Sequence, residues 1–330
     1  MVRLECHWPS NISSLSDTED FPIGNKTMSL YGLLNHCKTA QGSRLLAQWM
    51  RQPLVTLADI ETRHDLVDAL ISDSSLRQNL QSDSLKNFPD LNRLAKRFHR
   101  GTATLQDVVR VYQCVIKLPE LKKQIDEFEG TERQAALLKD CYTDKLELFI
   151  TELEKLRELV ESTIDLDALE NHEFLVKADF DEELAEIKSK MDEVQKEIEP
   201  EARRVAHDLD MELHKRLKLE HSYIYGHYLR LSRNDSSVLR GNRNYTEIAC
   251  QKSGVFFQTS TLRDLSDQYR ACMEKYQTLQ ANLSKEIIKI TAGYFVVMEI
   301  LNSMVAELDV LSRYALSNSN QRYNSLIVPQ

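Results

Sequence analysis

A mainly α-helical fold, with a small antiparallel β layer carried on two long antiparallel helices, is predicted by three observations. Apolar residues recur at helical steps on both sides of a central insert: Leu184, Ile187, Met191, Val194 and Ile198 before it, and Leu262, Leu265, Tyr269, Cys272, Tyr276, Leu279, Leu283, Ile287 and Ile290 after it. Both stripes repeat close to 3.5 residues, the period of a coiled-coil seam, with a slip near Leu283. Only nine Gly and seven Pro punctuate 330 residues, so the chain outside the insert favours helix. Within Lys215–Lys252 the pattern turns aromatic and alternating, with Arg in the turns.

The elements follow in order. Residues 1–27 are polar, with Pro9, Pro22, Gly24 and the acidic run Asp17–Asp20, and are expected to be irregular. Helical patterning begins at Met28 with Leu30, Leu33 and Leu34, then Leu45, Leu46 and Trp49, and ends before Pro53. Further helices are predicted at Leu57–Ile71, Pro89–Phe98, Leu105–Ile116 (stopped near Pro119) and Arg133–Thr163. After a break at Asn171–Phe180 the first arm starts, with Asp179 or Asp181 as N-cap, and runs to about Leu213. Pro200 is expected to kink or break it. The insert should hold a strand alternating from Tyr223 to Arg230, a second at Thr246–Gln251, and a hairpin partner at Val255–Thr259. Thr261–Asp264 then resembles a capping box, opening a returning helix that has no Gly or Pro until Gly293 and is taken to about Leu316.

Charge is unevenly placed. The chain carries −9 overall, yet His214–Lys252 holds eight basic residues against three acidic ones, leaving −14 for the remainder. Positive charge at the end of acidic arms favours a phosphate-facing tip. The candidate contacts are Lys215, Arg216, Lys218, Arg233, Arg240, Asn242, Arg243, Asn244 and Lys252. An acidic protein partner, held by a helical scaffold with the same basic tip, is the alternative.

Other chemistry finds little support. Six widely scattered Cys, without a Cys-x-x-Cys pair, read as free and mostly buried thiols. His214, His221 and His227 are spaced too widely for a short zinc motif, and His36–Cys37 lacks an acid partner at helical spacing. Tyr223, Tyr225 and Tyr228 suit packing of the β layer better than stacking on nucleotides. No run of about 18 apolar residues exists, so no membrane association is expected and the protein should be soluble and intracellular.

Gly32–Gly42 with Trp49–Leu54, Phe88–Leu94, Glu170–Lys177, Val238–Tyr245 and Ile290–Tyr294, in that order, resemble stretches of the MutS family of mismatch-repair proteins. Gly32–Leu33–Leu34–Asn35–His36–Cys37–Lys38–Thr39–Ala40–Gln41–Gly42, with Trp49–Leu54, is similar to the start of that family's lever domain. Phe88–Leu94 continues the likeness, and Glu170–Lys177 is most similar to the eukaryotic homologue 2 branch. Val238–Tyr245 and Ile290–Tyr294 sit where the family has related stretches. The resemblance implies an all-α lever domain with an inserted antiparallel coiled-coil arm bearing a small antiparallel β tip, the clamp. It assigns 28–173 and 274–315 to the lever, 174–273 to the clamp and 316–330 to a divergent tail. It also implies sequence-independent contact with the backbone of double-stranded DNA, a second MutS-type subunit as heterodimer partner, and a place in the nucleus.

The departures set limits. No Gly-x-x-x-x-Gly-Lys-Ser/Thr loop is present, so no ATPase activity is expected of these residues. ATP and Mg would belong to the family's ATPase domain, and neither cofactor nor metal is expected here. The mismatch-reading domain of the family is likewise not recognised, and Met1–Ser10 and Ser317–Gln330 match poorly.

Overall fold

Short polar side chains start many of the helices, and the computed structural model, which describes residues 30–171, 173–222, 224–239 and 244–321, shows several of these caps at work. After α1 (Leu30–Leu34), the Thr39 hydroxyl accepts from Gly42 N at 2.9 Å and opens α2 (Ala40–Arg51). Next come α3 (Leu57–Ser72) and α4 (Ser74–Asn79), the latter capped by Asp73, whose Oδ1 accepts from Leu76 N. Asp90 caps α5 (Leu91–His99) through Arg93 N, and Thr104 with Asp107 boxes the start of α6 (Leu105–Val115). Then follow α7 (Leu118–Asp126), α8 (Glu132–Leu138) and α9 (Asp144–Thr163).

Two expectations need revision here for identifiable reasons. The helix expected at Leu105–Ile116 ends where expected, at Val115, but Pro119 also stands in the first turn of a further helix, α7, where its missing N–H costs nothing. The helix expected at Arg133–Thr163 is divided by a π-turn at Lys139–Thr143, as α4 is extended by another at Leu80–Ser84. The turn at 139–143 seats Tyr142, which is 1% exposed.

The chain divides into two compact units, one of Met1–Glu161 with Ile287–Gln330 and one of Ser162–Glu286. In the first, α12 (Phe295–Gln321) packs against α2, α3 and α5. Leu46, Leu70, Leu91, Phe98, Leu301, Val305 and Leu308 fill its core. Asp309, fully buried on α12, accepts from Lys38 N (3.0 Å), Thr39 N (2.8 Å) and Thr39 Oγ1 (2.6 Å), tying the cap of α2 to a helix 270 residues away. Three donors make a buried carboxylate tenable. Cys37 lies beside this network; burial, and then the Asp309 charge, push its thiol up to about 12. Cys114 is buried, Cys37, Cys141 and Cys272 are half-buried and Cys250 is exposed, so among the described thiols only part of the expected burial is met.

The second unit is built on α10 (Glu182–Asp208), capped by Asp181 at Leu184 N. Pro200 does not break it. Both Pro200 and Lys196, whose carbonyl loses its donor, face solvent, so water can replace the missing bond. The helix ends at Asp208 rather than near Leu213, and Asp210 (φ 50°) and His214 (φ 68°) turn the chain away. Four antiparallel strands follow: β1 (Lys218–Ser222), β2 (Gly226–Leu231), β3 (Tyr245–Gln251) and β4 (Gly254–Thr259), in the order β1-β2-β4-β3. The inner strands β2 and β4 are buried almost throughout, the outer two only in part.

The strand expected from Tyr223 to Arg230 is therefore corrected. Only Gly226 onward is strand; Ile224 and Tyr225 lie in a turn, and β1, which alternation did not reveal, comes before it. The Ser222 hydroxyl accepts from Tyr225 N, and Gly226 adopts φ 67°, open to glycine at no steric cost. The cap of α11 (Ser260–Ala292) also differs: Thr259, not Thr261, accepts from Leu262 N, and its hydroxyl donates to Glu201 of α10 at 2.8 Å. Gly293 and Tyr294 separate α11 from α12, which the sequence joins into one returning helix.

Ile198, Ala202 and Val205 of α10, Leu229 and Leu231 of β2, Phe257 of β4 and Leu262 and Leu265 of α11 share one core. Burial of each large side chain contributes about 1.5–3 kcal/mol as an upper bound. Of the predicted seam, Leu184, Ile187, Met191 and Leu265 are buried, while Val194, Tyr269, Cys272 and Tyr276 are half-buried. The buried Gln280 amide brackets Val176, accepting from its N at 2.9 Å and donating to its O at 2.8 Å.

Candidate functional site

The strand registers decide where the basic residues gather. Lys218 opens β1 opposite Arg230, Leu231 closes β2 opposite Val255, and Gln251 closes β3 opposite Gly254. The start of β1, the end of β2 and the β3–β4 turn therefore lie at one end of the sheet. The other end holds the β1–β2 turn and the Tyr245–Thr259 pair, where α11 departs. Lys218, Arg230, Arg233 and Lys252 thus share the end away from the α11 junction. Arg233, in the turn after β2, donates from Nε to Gln251 O at 2.9 Å, which ties that turn to the β3–β4 hairpin.

Pairing sorts these charges. Lys215 bonds Glu212 at 2.5 Å, Arg216 pairs with Asp235, and Arg230 pairs with Glu220 at 2.6 Å while donating to Ser253 O at 2.9 Å. The Ser232 hydroxyl and the Arg216 guanidinium hold the Asp235 carboxyl below the usual carboxylate range. Lys218, Arg233 and Lys252 are exposed, and none has a carboxylate at ion-pair distance among the described residues. Asn244 is exposed in the turn leading into β3. Arg240, Asn242 and Arg243 lie outside the described residues. Of the nine candidates, the structure therefore brings Lys218, Arg233 and Lys252 to one sheet end as uncompensated cations and shows two others already neutralised.

Two residues outside the candidate set hold this end in shape. Arg230 staples β1 to the β3–β4 turn. Gly254 sits at φ 146° with no room for a side chain: a Cβ there would meet Leu231 O at 2.2 Å. Glycine between two strand signals was the available clue. Between Glu247 and Ala249 the β3 register shifts, a bulge that bends this edge strand.

The histidines do different work. His214 lies in the turn after α10; His221 and His227 face each other across β1 and β2, ring centroids 4.6 Å apart, with Tyr269 edge-on to His227 at 5.3 Å. The described residues hold no group of three or more metal-ligating side chains. Tyr228 is buried on Phe256, centroids 4.8 Å apart, and Tyr225 meets it edge-on, so both pack the β layer; Tyr223 lies outside the described residues.

Burial, and secondarily His221, push the His227 imidazole down to about 4. The unfolded chain, near 6.5, takes up this proton first, so the folded unit loses stability as pH falls from about 6.5 to about 4. The slope from this group is at most about 1.4 kcal/mol per pH unit. Urea unfolding followed between pH 7.5 and 4.5 should show it, and His227→Phe should remove that component.

Among the described residues no Gly lies in a strand–loop–helix unit, and the sequence holds no Gly-x-x-x-x-Gly-Lys-Ser/Thr stretch, so no nucleotide chemistry is assigned to these residues. No described helix is long and apolar enough to cross a membrane.

Comparison with known proteins places the chain. The MutS domain III profile matches residues 11–315. DNA mismatch repair protein msh-2 of Neurospora crassa is 44% identical over 294 residues, covering 88% of this chain and 31% of that protein. DNA mismatch repair protein MSH2 of Saccharomyces cerevisiae is 39% identical over 315 residues, covering 94% and 33%. The bacterial MutS of Streptococcus equi is 27% identical over 316 residues, covering 94% and 35%. The chain spans about a third of the length of these curated relatives. A family match over nearly the whole chain, on an α-helical body and a helix–sheet–helix unit, shows that the chain belongs to the MutS family through its domain III and is MSH2-like.

Proposed function

We propose that this chain is the part of a nuclear mismatch-repair protein that grips the backbone of double-stranded DNA, mismatched duplexes included, without reading bases. Residues 174–273 act as clamp, and 28–173 with 274–315 as the lever that relays the grip to an ATPase domain of a longer protein. A second MutS-type subunit completes the assembly. The observation that carries the reading is the cluster of Lys218, Arg233 and Lys252, exposed and uncompensated at one end of the sheet. Exposed cationic side chains suit phosphate contact, which positions a protein on a duplex but carries no sequence information.

The test is the triple variant Lys218→Glu, Arg233→Glu, Lys252→Glu. Duplex affinity should fall about tenfold or more near 0.15 M salt, and the log–log salt slope should shrink by up to about 3, equally for every sequence tried. Circular dichroism should be unchanged, since all three side chains are exposed and the variant gives up only the Arg233 bond to Gln251 O, with the strand ladder intact. Unaltered affinity and slope would remove this end of the sheet from the interface. Capture of an acidic protein by the same end, with no duplex binding, would favour the scaffold alternative.

A further inference from the structure

A second concentration of positive charge lies in the first unit, in a cleft of about 670 Å³ between the start of α5 and the face of α6. Arg93, Arg97 and Arg110 line it with the Gln113 amide, and the buried Phe88 and Leu94 contribute its apolar floor. Its two nearby acids are already committed. Asp90 is held by Arg44 through two parallel bonds of 2.7 and 2.8 Å and also caps α5. Asp107, fully buried, binds Arg97 at 2.8 Å and accepts from Thr104. Arg93 and Arg110 are exposed, and among the described residues no carboxylate lies at ion-pair distance from either guanidinium.

We infer that this cleft docks an acidic segment of a protein partner, one with Asp or Glu residues beside an apolar side chain. Charge complementarity calls for an anion, and the lining selects which kind. Guanidinium forks match carboxylates two bonds at a time, as Arg44 shows with Asp90, a residue of the cleft lining. The floor of Phe88 and Leu94 offers an apolar side chain burial that a run of phosphates would not use. A duplex backbone is a convex rod and does not enter such a concavity, whereas a peptide does. The cleft lies wholly within the first unit, so it stands independently of the duplex reading of the sheet.

The experiment uses the full chain and a pool of fluorescent decapeptides with Asp or Glu fixed at two adjacent positions and all residues elsewhere; a Lys-fixed pool is the control. The acidic pool should bind saturably and the Lys pool should not. Arg93→Glu with Arg110→Glu should weaken binding at least tenfold, and the paired Lys variants a few-fold, because the charge remains but the fork is lost. Thermal melts of both variants should match the parent. Binding unaffected by the double reversal, no saturable binding up to millimolar peptide, or displacement of the peptide by a 20-base-pair duplex with the same Arg dependence would each overturn the inference.

Discussion

Replacing Gly42 by alanine should destabilise the first unit by roughly 2–4 kcal/mol, although helix propensity alone predicts a gain of about 1 kcal/mol. A Cβ at position 42 would lie 2.4 Å from Asp309 Oδ2, the oxygen that accepts from both the amide and the hydroxyl of Thr39. The carboxylate is fully buried and has nowhere to retreat without leaving Thr39 N or its own charge unsatisfied. Charge-assisted bonds of this kind are worth about 1.5–3 kcal/mol each, so their loss outweighs the propensity gain. The melting transition of the first unit should fall by roughly 5–15 °C, with hydrogen-exchange protection lost first in α2 and the middle of α12. A cycle with Asp309→Ala separates the causes: once the carboxylate is gone, Gly42→Ala should cost little or nothing further. A more stable Gly42→Ala protein would refute the packing account.

Gly254→Ala should act as strongly on the second unit and leave the first unit's own transition unchanged. At φ 146° an L side chain is strained whatever space is available, and here the obstacle is the backbone carbonyl of Leu231. A rotamer change cannot relieve it, so the β2–β4 pairing at Leu231–Val255 must open. The cost should be several kcal/mol, and protection should fall within 226–259. Because Lys218, Arg233 and Lys252 converge through that pairing, duplex affinity should drop although no cation has been changed. Wild-type exchange across β2 and β4 in the variant would show that the turn has another way to close.

The legible parts of the fold were those that repeat. Leu184–Ile198 and Leu262–Ile290 announce two long helices, and β3 and β4 were placed within a residue or two because a turn with Gly254 separates two apolar runs. β1 escaped because Lys218–Ser222 is an outer strand with one aliphatic residue and so carries no apolar period. The two π-turns escaped because one inserted residue leaves local composition unchanged. α7 was lost to reading Pro119 as a stop when it stands at a start. For the site, the accumulation of charge was visible but its cancellation was not. That Arg216 meets Asp235, 19 residues away, and that Arg230 meets Glu220 depends on register, which composition does not encode. The Asp309–Thr39 link, 270 residues apart, lay beyond any local pattern.

The split of the first unit into two chain segments also orders events on the ribosome. Thr39 waits for Asp309, and α2, α3 and α5 wait for α12, while Ser162–Glu286 is continuous and can close as soon as it emerges. At roughly 5–20 residues per second, translating those intervening residues takes about 6–25 s. Throughout that interval Leu46, Leu70 and Phe98 lack their α12 neighbours. A nascent chain arrested before Leu301 should therefore recruit holdase chaperones through its amino-terminal helices, with its sheet already protease-resistant, and completing α12 should release them.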